Sequence, residues 1–306
     1  MDNIKDTIKD NIKDTIKDTI EDTHSLTKYI KEPLSRDGDI KRRVGIAGIG
    51  MVGGALFSYF EKKPNYKIFL YDKKGIGSME EINKADFIYL CVPTPHVEGV
   101  GCDTSIVRMI VDQIKGKKVI IIKSTVIPGT IYKLQGDYPQ HAFLHNPEFL
   151  TEVTADQDIT YPDRQLIGYT EQSYDVSKEV LLQLPLAPYE RILPAHITEF
   201  VKYFCNTWFS TKVSKNNEFY DLFKAYGGTD EEYSEMVSSS AADKRIGRTH
   251  LKIVHKGKRG YSGSCLPKDI KAILELAEEL GVDMPVTKAT DAYNDKLLKS
   301  QGIKEV

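Results

Sequence analysis

From Val44 onward, short apolar runs alternate with segments of helical spacing. Val44-Gly45-Ile46-Ala47 ends in glycines, and Leu56 and Phe60 follow one helical turn apart. Lys67–Asp72, Phe87–Val92 and Lys118–Lys123 are the next runs, the second closed by Pro93 and Pro95; 141–145 and 164–169 are two more. Runs that are apolar on both faces and separated by helices predict a parallel sheet covered on both sides. After about residue 195 the strands stop. Helical spacing predicts one long helix from His196 to Tyr226 and further helices over 229–240, 267–280 and 286–299.

The first 40 residues differ in texture. Ile4, Ile8, Ile12, Ile16 and Ile20 recur every four residues with Lys and Asp between them. Each step overshoots a helical turn, so the stripe would wrap slowly around a helix, and Ile, Asp, Thr and Asn are mediocre helix formers. The chain therefore divides into a low-complexity repeat at 1–40, helical or disordered, an α/β domain at 41–195 and a helical domain at 196–306.

A chain of 306 residues suits two domains with a substantial core. Lys plus Arg is 42 and Asp plus Glu is 44, a net charge of −2, which argues against nucleic acid as the main partner but not against a small phosphorylated ligand. No apolar run approaches the ~18 residues of a membrane span, and no signal-peptide core is visible, so the expected location is cytoplasmic. The four cysteines, Cys91, Cys102, Cys205 and Cys265, are scattered without CxxC pairing. That fits a reducing compartment and no metal site.

Gly48-Ile49-Gly50-Met51-Val52-Gly53 has the context a GxGxxG needs: a strand before it, a helix after it, and Asp72 at the end of the next strand. Gly48 permits the tight turn, Gly50 lets backbone approach a pyrophosphate, and Gly53 lets helix and strand pack closely. Asp72 would accept from the adenosine ribose hydroxyls, which favours NAD over NADP, against the pull of Lys73 and Lys74. The sheet is thus read as a Rossmann-type parallel sheet followed by an all-helical domain with a long central helix.

Four later segments carry unusual composition: Cys91-Val92-Pro93-Thr94-Pro95, Lys123–Thr130, Asn146–Glu152 and Gly260–Asp269. The first three sit at strand ends, where open α/β sheets bind ligands. On the long helix Glu199, Lys202 and Asn206 share a face, and an amine beside an amide can donate to an oxyanion. Cys265 stands in a glycine-rich loop with Pro267 ready to start a helix, a place where a thiol's pKa falls. Asp269 is either a first-turn acid or a group that orients a water. Singly, each has an ordinary reading: a buried thiol for Cys265, a solvated helix face for Glu199 and Lys202, surface carboxylates or caps for Glu148 and Glu152. Cys91 and Cys205 read as core.

In order, GIGMVG, CVPTP, KSTVIPGT, NPEFLTE, PDRQLIG, EFVKYFCNTWFSTKVSKNNE, DKRIG and GYSGSCLPKD resemble the UDP-glucose and GDP-mannose dehydrogenase family from about Val44 to Asp291. The resemblance implies NAD-dependent, four-electron oxidation of a nucleotide sugar at C6, UDP-glucose first by base rate, in the supply of uronates for polysaccharide biosynthesis. Cys265 matches the nucleophile, Lys202 and Asn206 the oxyanion pair, Thr125 and Asp269 the water-holding residues, Glu148 the acid/base, and Thr94, Thr125 and Glu152 residues near NAD. Glu148, Phe149, Leu150, Thr151, Glu152, Lys202, Asn206, Tyr261 and Gly263 would line the sugar pocket. Arg245 resembles an arginine that reaches a neighbouring subunit's substrate, so a homodimer through the long helix is implied.

Departures from the family pattern stand out. Only residues 73–86 separate Asp72 from the next strand, Val153 replaces an expected glycine, and the cysteine loop reads Tyr-Ser-Gly. Family members also continue into another α/β domain that grips the nucleotide, and the sequence stops at Val306. The expectation is weak, narrowed or partner-dependent activity. The alternatives are a non-catalytic NAD-binding descendant and a β-hydroxyacid-type dehydrogenase, whose chemistry needs no cysteine.

Overall fold

A computed structural model describes residues 42–151 and 154–303. The isoleucine repeat and Glu152 lie outside the described residues. The chain forms two compact units, one of residues 42–93 and 107–198, the other of 94–106 and 199–303.

The first unit is built on one sheet. Its strands are β1 (Arg42–Ala47), β2 (Tyr66–Asp72), β3 (Ile76–Gly77), β4 (Phe87–Leu90), β7 (Val119–Ile122), β8 (Ala142–His145), β9 (Arg164–Tyr169) and β10 (Tyr189–Pro194), in the order β10-β9-β8-β7-β4-β1-β2-β3. The five strands β2, β1, β4, β7 and β8 pair in parallel. Strand order reverses beside β1, so the turn after β1 lies at the switch point where such sheets bind ligands. β4, β7 and β8 are buried at every position, which is why they read as unbroken apolar runs. Helix α1 (Met51–Phe60) lays Leu56 and Phe60 on Val44, Ile46, Tyr89 and Ile121 in the core of this unit.

Two features depart from the sequence reading. β9 runs antiparallel to β8, with β10 parallel to β9, so the sheet is mostly rather than wholly parallel. β10 has no sequence signal as an apolar run, because it is an edge strand with exposed Tyr189 and Arg191.

The second unit is helical. The long helix α7 (Ala195–Ala225) begins in the first unit and supplies Glu199 onward to the second. It ends where Gly227 turns to φ 102° and Gly228 donates back to the Phe223 carbonyl, a common helix stop. α8 (Asp230–Ala241) starts at Thr229, whose hydroxyl accepts from the Glu232 amide while Glu232 accepts from the Thr229 amide. α9 (Leu266–Glu279) and α10 (Pro285–Ser300) complete it, with Val213, Tyr261 and Ile270 forming a buried cluster. The strands do not quite stop at 195: Val254–His255 and Lys258–Arg259 form a hairpin (β11, β12) around Lys256 and Gly257, both at positive φ. A second two-residue hairpin, β5 (His96–Val97) and β6 (Gly101–Cys102), also belongs to this unit. No helix among the described residues is long and apolar enough to cross a membrane.

Candidate active site

The glycine turn is explained residue by residue. Gly48 has φ +89°, and a Cβ there would meet the Cys91 carbonyl oxygen at 2.7 Å. A Cβ on Gly53 would fall 1.9 Å from the Gly48 carbonyl oxygen, so α1 can approach β1 only through glycine. Gly50 is different: it caps α1, and nothing lies within 4 Å of a Cβ built there. The space before the helix N-terminus is therefore open, and the first turn, with Met51 and Val52, carries no acid to repel a phosphate. Asp72 Oδ2 accepts from the Ile49 amide at 2.8 Å and Oδ1 from the Lys74 amide at 2.9 Å. These two bonds, that from Lys74 first, hold its carboxyl below the usual range. Each oxygen keeps lone pairs for ribose hydroxyls. The residues present fit a dinucleotide.

Beside this turn, the ends of β4, β7 and β8 are stitched together. Buried Lys123 donates to Asn146 Oδ1 at 2.6 Å, Asn146 Nδ2 donates to the Leu166 carbonyl at 2.9 Å, and Ser124 donates to the Val92 carbonyl at 2.6 Å. None of Lys123, Ser124 or Asn146 had a role in the sequence reading; a lysine closing an apolar run was the available signal. Thr125 follows, buried. Glu148 Oε2 accepts from the Leu150 amide at 2.8 Å, the Arg164 guanidinium lies 3.8 Å over the Phe149 ring, and the Thr151 amide donates to Asp158 at 2.8 Å. Burial, with a smaller contribution from Glu148, pushes the Cys91 thiol up to about 12 despite Lys123, so it stays protonated.

In the second unit the long helix turns Glu199, Lys202 and Asn206 inward, each at most 7% exposed, so they are not a solvated face. Asn206 Nδ2 donates to Asp269 Oδ2 at 2.5 Å, and Lys268 pairs with Oδ1 of the same carboxylate. Asp269 is 1% exposed, and its amide makes the first bond of α9, to the Cys265 carbonyl. Cys265 is the N-cap of α9 and is exposed, not a small core residue. Its Sγ lies 3.8 Å from Ser264 Oγ. Gly263, at φ +100° with open space at its Cβ, sets the turn before it.

Two residues read as sugar-facing stand differently from one another. The Tyr261 ring is interior, its hydroxyl on Asp291 and its amide on Asn294, so its side chain fastens the cysteine loop to α10 instead of facing outward. Arg245 projects outward, paired with Asp243 yet 89% exposed. Thr94 is buried in the second unit, two residues before β5. Sequence reasoning also missed Tyr203, which is buried between Lys202 and Asn206 in sequence. Burial, then Cys102 and Asp269, hold its phenol far above its usual range.

The pattern described as the UDP-glucose/GDP-mannose dehydrogenase family, NAD binding domain, matches residues 74–184, and that of the central domain of the same family matches 196–296. The first match starts beyond the glycine turn and Asp72, so the case for those residues is geometric. The UDP-glucose 6-dehydrogenase of Rickettsia conorii is 34% identical over 226 residues, 70% of this chain and 50% of that protein. That of Pseudomonas aeruginosa is 32% identical over 231 residues, 70% of this chain and 49% of its own length. The chain thus spans about half the length of the curated relatives it matches. Among solved structures, a UDP-glucose dehydrogenase from Pyrobaculum islandicum superposes with a TM-score of 0.73 at 24% identity, over 89% of this chain and 73% of that one, which is a likeness of fold.

Proposed function

Because this chain belongs to the UDP-glucose/GDP-mannose dehydrogenase family and carries its NAD-binding domain, we propose that it oxidises the C6 alcohol of a nucleotide sugar to a carboxylate, with UDP-glucose as the first substrate to test. The observation that carries this reading is the second unit's arrangement: an exposed thiol capping α9, one turn before a buried carboxylate that Asn206 of the long helix holds.

Bound NAD would supply the hydride acceptor for two successive oxidations. In the first, Glu148 takes the C6 hydroxyl proton and the alcohol becomes an aldehyde. The Cys265 thiolate then adds to that aldehyde, forming a C–S bond and an alkoxide. Lys202 and the second Nδ2 proton of Asn206 would donate to this oxyanion. A bare aldehyde has no good hydride to give, whereas its thiolate adduct does, and loss of that hydride leaves a thioester on Cys265. Water oriented by Asp269 would attack the thioester carbonyl, releasing the carboxylate and the thiol.

The partner is read as a second copy. Phe200, Phe204 and Trp208 stand exposed along α7, with Phe204 70% exposed, and burying them would stabilise a helix-to-helix homodimer. Arg245 would then be free to reach toward a neighbour's sugar. None of the four cysteines forms a disulfide, in keeping with a cytoplasmic setting.

The test is stoichiometry. With UDP-glucose and NAD the chain should make two NADH per uronate, and Cys265→Ala should lose acid formation while still binding NADH. One NADH per turnover with aldehyde accumulating would sink the covalent route. Failure to reduce NAD with UDP-glucose, UDP-N-acetyl sugars or GDP-mannose, alongside normal NADH affinity, would point to a non-catalytic descendant.

A further inference from the structure

The stretch of chain that leads into Cys265 is gripped by two side-chain amides of one helix. Asn294, buried in α10, takes both main-chain groups of Tyr261: its Oδ1 accepts from the Tyr261 amide at 2.8 Å and its Nδ2 donates to the Tyr261 carbonyl at 3.0 Å. Gln301, the C-cap of α10, does the same for Arg259, accepting from its amide at 2.8 Å and donating to its carbonyl at 3.1 Å. Gly260 between them turns to φ +81°, and a Cβ there would crowd Asn294 Oδ1 at 2.6 Å, so a glycine lets the amide close. The side chains of the two gripped residues are fastened within the same unit. Arg259 donates to Asn217 Oδ1 at 3.0 Å and to Asp221 at 2.6 Å, both on α7, and the Tyr261 ring packs with Val213 of α7 and Ile270 of α9.

Downstream of Tyr261, the residues Ser262, Gly263 and Ser264 are exposed, and Cys265 then caps α9, which Asn206 holds to α7 through Asp269. The thiol therefore stands at the end of a short exposed span strung between two anchors. The upstream anchor is the pair of amides. A buried main-chain N–H or C=O left without a partner is costly, so Tyr261 stays where Asn294 satisfies both of its groups. Without that grip the loose span would reach back through Tyr261 to Gly260. We infer that Asn294 and Gln301 are positioning residues for Cys265: from α10 they fix the upstream end of its loop and with it the place of the thiol. The catalytic consequence rests on the reading of Cys265 as the nucleophile; the place of the thiol can be measured without it.

The test uses the full chain with a nitroxide spin label on Cys265, the Cys265→Ala chain giving the background from the other thiols. Asn294→Leu keeps the volume but removes both bonds, and it should sharpen the label's spectrum, the sign of a mobile thiol. Asn294→Asp separates positioning from packing. Its protonated carboxyl accepts and donates as the amide does, whereas the ionised form cannot donate to the Tyr261 carbonyl. Burial raises the pKa of such a carboxyl, so its label should match wild type at about pH 6 and Asn294→Leu at about pH 9. In parallel assays of the unlabelled chain with UDP-glucose and NAD, Asn294→Leu should lower kcat about 100-fold and leave each KM within about twofold. Should Asn294→Leu fail to fold, Gln301→Ala at its exposed position makes the same comparison, with a roughly threefold loss of kcat. If the wild-type chain oxidises no nucleotide sugar, yet the label is freed by Asn294→Leu and fixed again in Asn294→Asp at low pH, the dehydrogenase reading fails and the positioning role stands. A label as immobile in Asn294→Leu and Gln301→Ala as in wild type overturns the inference. So does an Asn294→Asp chain whose label is equally mobile at both pH values, which would mark a general packing fault.

Discussion

Gly50→Ala separates a glycine needed for binding from one needed for folding. The dihedrals of Gly50, φ −87° and ψ −155°, are open to alanine, and nothing lies within 4 Å of the added Cβ. Alanine is a poorer helix cap than glycine, a loss of up to about 1 kcal/mol, but it restricts the unfolded chain by about 0.4–1 kcal/mol. The two offset, so the melting temperature should move by less than about 2 °C. Gly53→Ala is the contrast. Its Cβ would start 1.9 Å from a carbonyl oxygen that cannot come nearer than 3.0 Å, so the turn must open by about 1.1 Å. Overpacking of that kind costs about 1–3 kcal/mol and should lower the melting temperature by roughly 4–10 °C. The new methyl on Gly50 would instead occupy the space in front of the helix N-terminus. An amide-to-phosphate hydrogen bond contributes about 1.5–3 kcal/mol, so losing one weakens NADH binding by about 10- to 100-fold. Isothermal calorimetry with NADH, with melting curves for both variants, gives the comparison. A Gly50→Ala chain that binds NADH like wild type would refute the placing of the pyrophosphate at this turn.

Asn206→Ala would leave the buried Asp269 with Lys268 as its remaining named partner, so it should cost about 1–3 kcal/mol in urea unfolding and also abolish uronate formation. His141 is fully buried with no hydrogen-bond partner on either ring nitrogen, and burial lowers its pKa to about 4 from 6.5. The unfolded chain therefore binds the extra proton first, so stability should fall as pH drops from about 6.5 to 4, by about 3 kcal/mol from this group; a His141→Phe chain with an unchanged slope over that window would contradict it. A thiol-reactive disulfide reagent near pH 8 should label Cys265 quickly and Cys91 hardly at all, since the latter's thiol is pushed up to about 12, and Cys265→Ala should remove the fast phase.

The sheet was legible because its central strands are buried on both faces, and such strands announce themselves as apolar runs. β10 was not, because half of an edge strand faces water and Tyr189, Glu190 and Arg191 give no run. The reversal between β8 and β9 was also invisible: strand direction depends on how residues 146–163 return, not on the composition of Arg164–Tyr169. The glycine turn, Cys265 ahead of a helix start and the shared face of Lys202 and Asn206 could be read from spacing, while the roles of these side chains came only from the family resemblance. The partners that fix the sites could not be read. Lys123 with Asn146, Asn206 with Asp269 and Tyr261 with Asn294 join residues 23, 63 and 33 positions apart, and no local pattern encodes such pairs.

The Asn206–Asp269 contact bears on why the long helix and the cysteine helix act together. A carboxylate 1% exposed is costly unless its oxygens are satisfied, and here each oxygen has a partner, Asn206 on one and Lys268 on the other. Lys268 comes from the same helix turn as Asp269 and follows it in any movement. Asn206 comes from α7 and does not. Any shift of α9 relative to α7 within this unit would strip Asn206 from the carboxylate and leave a buried charge half satisfied, a penalty of about 1–3 kcal/mol or more. Cys265, whose carbonyl accepts the Asp269 amide one turn back, is tied to the same point. The geometry of thiol, carboxylate and amide is thus kept by the cost of breaking it. A buried carboxylate and an amide that hold each other in register need no bound ligand to set their spacing.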